Sequence, residues 1–235
     1  MRCVSPLVSA RLVLGGSAIV ALMLAMEVQL AAQRRVSMRA EDGATLAGAF
    51  YEPAVRPAPG IVLLHMLRRS HADWDAAASQ LADAGFAVLA LDFRAGDGVA
   101  QLSLDVKAAK AFLRERPDVV PGSIGIAGAS VGANLALLDA AEDPGVRSIA
   151  LLSPGLDYSG LRTEAAMKKY SSRPAMLVSS TKDPYAWRSV RLLRAIGPGT
   201  REVRLTDAVA HGTTLLVRDQ GTIGALVDWF KRTLL

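Results

Sequence analysis

The sequence is poor in residue types on which several classes of protein depend. It contains one cysteine, Cys3, and three histidines among 235 residues, and aromatic residues make up only 5%. Without the N-terminal segment no thiol is left, which excludes a disulfide framework, a cysteine nucleophile and a cysteine-ligated zinc site. Because hydrophobic residues still make up 51% of the chain, its core has to consist mainly of Ala, Val, Leu and Ile. This composition favours a packed soluble domain over a disordered chain.

Clusters of basic residues are also missing, although the formal net charge is +5. Lysine and arginine are scattered along the chain, and no nucleic-acid-binding motif accompanies them. We therefore expect no nucleic acid among the partners of this protein.

The N-terminal segment differs in composition from the rest of the chain. Arg2 and Arg11 precede an apolar run over residues 12–26, which is short for a membrane span. A positive start followed by such a run is typical of a secretory signal peptide, although the small-x-small pattern before Ala32 is imperfect. We expect residues 1–32 to be the signal peptide of an exported (periplasmic or secreted) protein and residues 33–235 to be one domain. An uncleaved membrane anchor formed by residues 12–26 is the alternative.

Strands and helices are predicted to alternate from residue 36 to the end of the chain. Glu41-Asp42-Gly43 predicts a turn between two antiparallel strands. Later strands separated by helices call for a mostly parallel sheet with helices on both faces. Residues 154–173 leave room for a small lid at most. The predicted strands are 36–39, 45–51, 61–64, 86–91, 123–127, 146–152, 175–180 and 202–206, and the predicted helices are 73–84, 103–116, 131–141, 163–170, 185–196 and 222–234.

A G-x-S-x-G motif, Gly128-Ala129-Ser130-Val131-Gly132, stands between a predicted strand and a predicted helix. In this context the motif is that of a nucleophile elbow, in which a strained turn projects the serine hydroxyl above the sheet. The helix that follows directs its free N–H groups to the same place, so we expect the N–H of Val131 to stabilise an oxyanion. Ser130 is therefore the candidate nucleophile, and a serine that only caps the helix is the alternative.

A serine nucleophile needs a base that accepts its proton, and the chain offers His65, His71 and His211. Only His211 follows the nucleophile, on a loop after the last predicted strand, as the order serine, acid, histidine requires. An exposed loop histidine is the alternative interpretation of His211. His65 precedes the nucleophile and is expected to brace its own loop. His71 is expected to be an exposed loop residue, and contact with the substrate is the alternative.

The acid that holds the imidazole in one tautomer should follow a late strand. Asp183 comes directly after the predicted strand 175–180, and Pro184 prevents that strand from continuing. Asp157 and Asp207 are the rival candidates. Asp183 could instead act as the N-cap of the next helix.

The loop His65-Met66-Leu67-Arg68-Arg69 should supply a second oxyanion donor, because it follows the third predicted strand. We expect this donor to be the backbone N–H of Met66. His65 and Arg68 are candidates for contact with the substrate at the rim of the pocket. For Arg68, a solvated loop arginine is the alternative.

Together these residues resemble the α/β-hydrolase superfamily, and more narrowly its dienelactone-hydrolase-like branch, from about Val36 to the C-terminus. The resemblance implies an α/β-hydrolase three-layer sandwich with a mostly parallel, eight-stranded sheet, antiparallel first strands and a minimal lid or none. It also implies a covalent acyl-enzyme mechanism without a metal or an organic cofactor. The residues that carry it are His65-Met66, Leu91-Asp92-Phe93-Arg94, Gly128-Ala129-Ser130-Val131-Gly132, Asp183 and His211-Gly212-Thr213.

Two departures limit what can be carried over from this branch. Dienelactone hydrolases proper have a cysteine nucleophile where this chain has Ser130, so their substrate is not transferred. Many members of the superfamily have a glycine-rich stretch after the early histidine, whereas this chain has Met66-Leu67-Arg68-Arg69.

The sequence thus predicts a serine hydrolase that acts on ester bonds of a small-molecule acyl substrate. Thioesters, lactones and peptides stay open as substrates. Two other functions are compatible with the same residues: an acyltransferase that uses the same triad, and a non-catalytic binding protein with this fold. The sequence gives no prediction of the oligomeric state.

Overall fold

A computed structural model describes residues 33–96 and 98–235 of the chain. The predicted signal peptide or anchor, residues 1–32, lies outside the described residues. Within them, no helix is both long enough and apolar enough to cross a membrane.

Strands and α-helices alternate along this part of the chain. The strands are β1 (Gln33–Arg39), β2 (Thr45–Tyr51), β3 (Ala58–Leu64), β4 (Ala87–Asp92), β5 (Val119–Ala129), β6 (Val146–Leu152), β7 (Asp157–Tyr158), β8 (Leu161–Arg162), β9 (Ala175–Ser180) and β10 (Arg201–Thr206). The helices are α1 (Asp75–Asp83), α2 (Val99–Arg114), α3 (Val131–Glu142), α4 (Thr163–Tyr170), α5 (Pro184–Arg194), α6 (Leu215–Arg218) and α7 (Gly221–Leu234).

Eight of these strands form one sheet in the order β1-β2-β4-β3-β5-β6-β9-β10. The pairs β1–β2 and β2–β4 are antiparallel, and every later pair is parallel. The predicted eight-stranded, mostly parallel sheet with antiparallel first strands is therefore confirmed. β5 lies in the middle of the sheet, so the loop at its carboxyl end is flanked by the ends of β3 and β6.

Helices cover both faces of the sheet and give it two apolar layers. β3 shows how these arise, because successive side chains of a strand point to opposite faces. Ile61 and Leu63 pack in the layer of α1 and α7, whereas Val62 and Leu64 pack in the layer of α2 and α3. All four side chains are fully buried. Each contributes about 1.5–3 kcal/mol relative to an exposed side chain.

Several elements begin or end at other residues than the sequence predicts. The predicted start of α2 was Ser103, a residue type that favours helix N-caps, but the helix begins at Val99 and the Ser103 hydroxyl donates to the Val99 carbonyl. β5 begins at Val119 and continues through Pro121, because its pairing with β3 shifts register between Ala58 and Gly60. The elements β7, β8 and α6 are too short to leave a periodic pattern.

Candidate active site

Ser130 occupies the sharp turn between β5 and α3. Its backbone has φ 54° and ψ −117°, a conformation that is strained for any residue with a side chain. The turn is held on both sides: the Ser130 N–H donates to the Leu152 carbonyl at 2.9 Å, and the Ser130 carbonyl accepts from the N–H groups of Ala133 and Asn134. The side chain is thereby fixed at the carboxyl end of the central strand.

Two glycines make this turn possible. A Cβ on Gly128 would lie 2.1 Å from the Gly132 carbonyl oxygen. A Cβ on Gly132 would lie 2.5 Å from the carbonyl oxygen of Leu64 and 2.6 Å from that of His65. The start of α3 therefore contacts the end of β3 backbone to backbone, which leaves no space for a side chain.

The structure brings Ser130, His211 and Asp183 into one hydrogen-bonded chain. His211 Nε2 lies 2.8 Å from Ser130 Oγ, and His211 Nδ1 lies 2.6 Å from Asp183 Oδ2. The carboxylate can only accept, so Nδ1 carries a proton and Nε2 is free to accept the one on the serine hydroxyl. Asp183 has both roles that the sequence left open, because its Oδ1 also accepts from the Ala186 N–H as the N-cap of α5.

The rival carboxylates lie elsewhere. Asp157 accepts from the Gly160 N–H and from Arg162 at the exposed end of a hairpin. Asp207 is exposed, and among the described residues it makes no hydrogen bond to His211. Asp183 is therefore the carboxylate that orients the imidazole in this structure.

The loop that carries His211 is fixed by several side chains that the sequence analysis did not single out. The His211 N–H donates to the Thr214 hydroxyl oxygen, which in turn donates to the His211 carbonyl, each at 2.8 Å. The Gly212 N–H donates to Ser153 Oγ at 3.0 Å. Ser153 directly follows β6 with φ 50°, so the residues after two neighbouring strands, Ser130 and Ser153, both have positive φ.

Two backbone N–H groups, those of Val131 and Met66, are the candidate oxyanion donors. Val131 is the first residue of α3, so its N–H has no acceptor within the helix. Met66 follows the end of β3. Neither N–H donates to an acceptor within residues 33–96 and 98–235. The side chain of Met66 also packs close to the loop of the histidine, because a Cβ on Gly212 would lie 2.8 Å from Met66 Sδ.

His65 braces the Met66 loop, one of the two roles that the sequence suggested for it. Its Nδ1 donates to the Met66 carbonyl at 2.7 Å, and its Nε2 accepts from the Phe93 N–H at 3.1 Å. The ring packs edge-on against that of Phe93. Burial lowers the pKa of His65, and the Phe93 N–H that donates to Nε2 also requires this nitrogen to be without a proton. Since backbone groups occupy both ring nitrogens, His65 offers the pocket its ring surface only.

We expect this buried neutral histidine to make the stability of the protein depend on pH. Below its ordinary pKa of about 6.5, the unfolded chain binds a proton that the folded protein does not, so the free energy of unfolding should fall on acidification. His65→Gln should reduce this dependence by up to about 1.4 kcal/mol per pH unit. Urea unfolding at about pH 7.5 and about pH 5.5 would measure it. Equal pH dependence in both proteins would contradict this assignment.

A cavity of about 270 Å³ lies beside the nucleophile. Arg69 and Arg94 line it but are engaged with carboxylates: Arg69 with Asp73, and Arg94 with Asp42 and Asp105. Arg68 lies on the exposed rim and has no ion pair within the described part of the chain. The full lining is His65, Leu67, Arg68, Arg69, Phe93, Arg94, Ala95, Gly96, Leu102 and Val131.

His71 differs from its predicted exposed position, because only 7% of its surface is accessible. Asp92 accepts from its backbone N–H at 2.7 Å and from its Nδ1 at 2.8 Å. The prediction of an exposed loop histidine was wrong, because the Asp92 carboxylate at the end of β4 binds His71 in a buried position. The pair ties the end of β4 to the segment that follows the Met66 loop.

Asp73 links the loop of the oxyanion donors to the loop of the histidine. Its two carboxylate oxygens share the Arg69 Nε–H, Oδ1 also accepts from Arg69 Nη2, and Oδ2 also accepts from the Thr213 hydroxyl. Burial raises the pKa of Asp73, but the hydrogen bonds from Arg69 and Thr213 outweigh it and lower the pKa. This link joins residues far apart in sequence, so no local pattern could reveal it.

Tyr158 also borders the site, on the short hairpin of β7 and β8. Its ring stands edge-on to the His211 ring, with 6.4 Å between centroids and an interplanar angle of 88°. The sequence contains Ser159-Gly160, a dipeptide typical of turns. The strands on either side have two residues each, which is too short for a periodic pattern of hydrophobic residues to be recognised.

The described residues hold no group of three or more histidine, cysteine, aspartate or glutamate side chains that could bind a metal ion.

No protein-family model matches this chain, and no curated protein sequence is significantly similar to it. Solved structures do match. A dienelactone hydrolase from Anabaena variabilis is 19% identical with a TM-score of 0.74, covering 88% of this chain and 100% of its own. An esterase from Pyrococcus furiosus is 20% identical with a TM-score of 0.71, covering 95% of this chain and 96% of its own.

A third match is a thermophilic carboxylesterase cloned from a metagenomic library. It is 18% identical with a TM-score of 0.72, covering 92% of this chain and 93% of its own. At such identities the shared property is the arrangement of strands and helices. The described residues of this chain form an α/β-hydrolase fold.

Proposed function

We propose that this protein is a serine hydrolase that cleaves ester bonds through an acyl-enzyme on Ser130. The observation that carries the proposal is the hydrogen-bonded chain from Ser130 Oγ through His211 to Asp183, located at the carboxyl end of the central strand. A strained nucleophile, an oriented base and two unpaired N–H groups are what acyl transfer requires.

In the first half-reaction, His211 Nε2 accepts the proton of Ser130 as Oγ attacks the ester carbonyl. The N–H groups of Val131 and Met66 stabilise the oxyanion that forms. Asp183 holds the imidazole by its Nδ1–H and stabilises the positive charge that the ring acquires. The C–O bond then breaks, and His211 returns the proton to the leaving alcohol.

In the second half-reaction, water replaces the alcohol and attacks the acyl-enzyme. His211 accepts a proton from this water, the oxyanion forms again in the same place, and the acid is released as Ser130 recovers its proton. The names of the matching structures, a dienelactone hydrolase and two esterases, agree with an ester-type substrate. The small cavity beside Val131 suits a short acyl group.

Labelling with a fluorophosphonate probe tests this proposal directly, because the probe phosphonylates a serine only when a neighbouring base activates it. We expect the full-length protein to be labelled and Ser130→Ala to be unlabelled. Ser37→Ala, on the exposed strand β1, is the matched control and should label like the original protein. A folded protein that takes no label, or a Ser130→Ala variant that still does, would contradict the proposal.

A further inference from the structure

Tyr158 is held in one position beside the proposed catalytic residues. Ser159 and Gly160 both have positive φ, at 54° and 89°, which is the backbone that the tightest hairpin turns require. The Tyr158 ring packs on Gly155, where a Cβ would lie 2.6 Å from the ring atom Cε2. The Tyr158 ring also packs in an edge-to-face arrangement with the rings of Tyr185 and His211.

Among the described residues, the Tyr158 hydroxyl has two neighbours with which it can form a hydrogen bond, the Ser153 carbonyl and the Ser130 side chain. Its hydrogen bond to the Ser153 carbonyl is 3.4 Å long, which is near the limit for such a bond. Burial, and secondly the charge of Asp183, raise the pKa of Tyr158 to about 12, while a hydrogen bond with the Ser130 side chain opposes them. The phenol therefore keeps its proton at neutral pH and can donate it in a hydrogen bond.

The position of Tyr158 relative to a bound ester follows from where the cavity and His211 lie. Val131, which carries one of the proposed oxyanion donors, lines the cavity, whereas Tyr158 does not. The leaving-group oxygen must lie near His211 Nε2, which protonates it. The Tyr158 ring packs edge-on to the His211 ring, and its hydroxyl is within hydrogen-bond reach of the Ser130 side chain, so an oxygen bound near His211 Nε2 would come close to the phenol.

We propose that Tyr158 is a further catalytic residue, whose phenol donates a hydrogen bond to the leaving-group oxygen of the ester. This inference rests on the proposed function. In acylation, the proton on the leaving oxygen comes from His211 Nε2, and Tyr158 stabilises the negative charge that develops as the C–O bond breaks. In deacylation the attacking water occupies the same place and accepts the same hydrogen bond, while its proton passes to His211. Tyr158 neither gains nor loses a proton in either step.

Tyr158→Phe tests the proposal because it keeps the ring and removes the hydroxyl. The rates of the original and variant proteins would be compared on esters of one acyl group with a poor leaving group, ethanol, and a good one, p-nitrophenol. For the ethyl ester, kcat/KM should fall about tenfold to a hundredfold, as expected for a lost hydrogen bond to a developing charge. For the p-nitrophenyl ester it should fall less than about threefold, because that leaving group carries its charge without help.

Tyr185→Phe is the matched control, because its hydroxyl bonds to the backbone N–H and carbonyl of Asp157, next to Tyr158. Tyr185→Phe loosens the same hairpin but keeps the Tyr158 hydroxyl beside Ser130. Any decrease in kcat/KM should therefore be equal for both esters. A loss in Tyr158→Phe that is equal for both esters, or no loss at all, would overturn the inference.

Ser130→Ala in the same assay separates this result from failure of the proposed function. If Ser130→Ala removes the activity and Tyr158→Phe shows no dependence on the leaving group, the role of Tyr158 alone is wrong. If Ser130→Ala keeps the activity, the proposed function itself is wrong.

Discussion

Asp183→Asn should lower kcat by about 10⁴-fold, the size of effect known for loss of the orienting acid in such a triad. His211 Nδ1 donates to Asp183 Oδ2 at 2.6 Å, so the carboxylate fixes which ring nitrogen carries the proton. An amide NH₂ at that position favours the other tautomer, in which Nε2 carries the proton and cannot accept one from Ser130. The loss should therefore lie in kcat, with little change in the affinity for the substrate.

The fold should survive this substitution. Asp183 also caps α5 through Oδ1, and asparagine is as good an N-cap as aspartate. Thermal unfolding of the variant should therefore stay close to that of the original protein, which separates loss of the base from loss of structure.

Asp157→Asn is the control for the same chemical change at the rival carboxylate. Asp157 binds the Gly160 N–H and Arg162 in the exposed hairpin, and it makes no contact with His211. We expect its kcat to stay within about threefold, since surface ion pairs contribute little. If Asp157→Asn were the variant that lost activity, the assignment of the acid would be wrong.

Gly132→Ala should lower kcat by about 10²- to 10³-fold, comparable to removal of one oxyanion donor. The new Cβ would meet the carbonyl oxygens of Leu64 and His65 at 2.5 and 2.6 Å, and both are backbone atoms that cannot move alone. The start of α3 and the loop after β3 must therefore separate, which pulls apart the N–H groups of Val131 and Met66. Steady-state kinetics and thermal unfolding would measure the effect.

Gly224→Ala is the matched glycine substitution. Gly224 lies in α7 on the surface, and a Cβ there would have no atom within 4 Å. Alanine in a helix is favoured over glycine by about 1 kcal/mol, so this variant should be slightly more stable and fully active. Gly132→Ala with the activity of the original protein would show that the close approach of α3 to β3 does not matter for catalysis.

The parts of the fold that the sequence predicts best are those with a strong local signal. The strands β2, β6 and β9 and the helix α4 have the predicted bounds, since each is a well-bounded run with one dominant pattern. The G-x-S-x-G motif is likewise local. Its two glycines allow the sharp turn, because a Cβ at either position would clash with nearby backbone.

What the sequence did not reveal depends on contacts between distant segments. Burial of His71 follows from Asp92, which is 21 residues away. The bond between Thr213 and Asp73 joins residues 140 positions apart. Such pairs have no periodic signature, because tertiary packing alone brings them together.

At Ser130, the residue that the proposed function requires is not the residue that would make the fold most stable. A non-glycine residue with this backbone carries a penalty of about 1–3 kcal/mol, which the surrounding hydrogen bonds must offset. Glycine would relieve that strain and at the same time delete the hydroxyl. Selection of variants for thermal resistance alone would therefore enrich inactive proteins at this residue, so any such search has to screen for turnover as well.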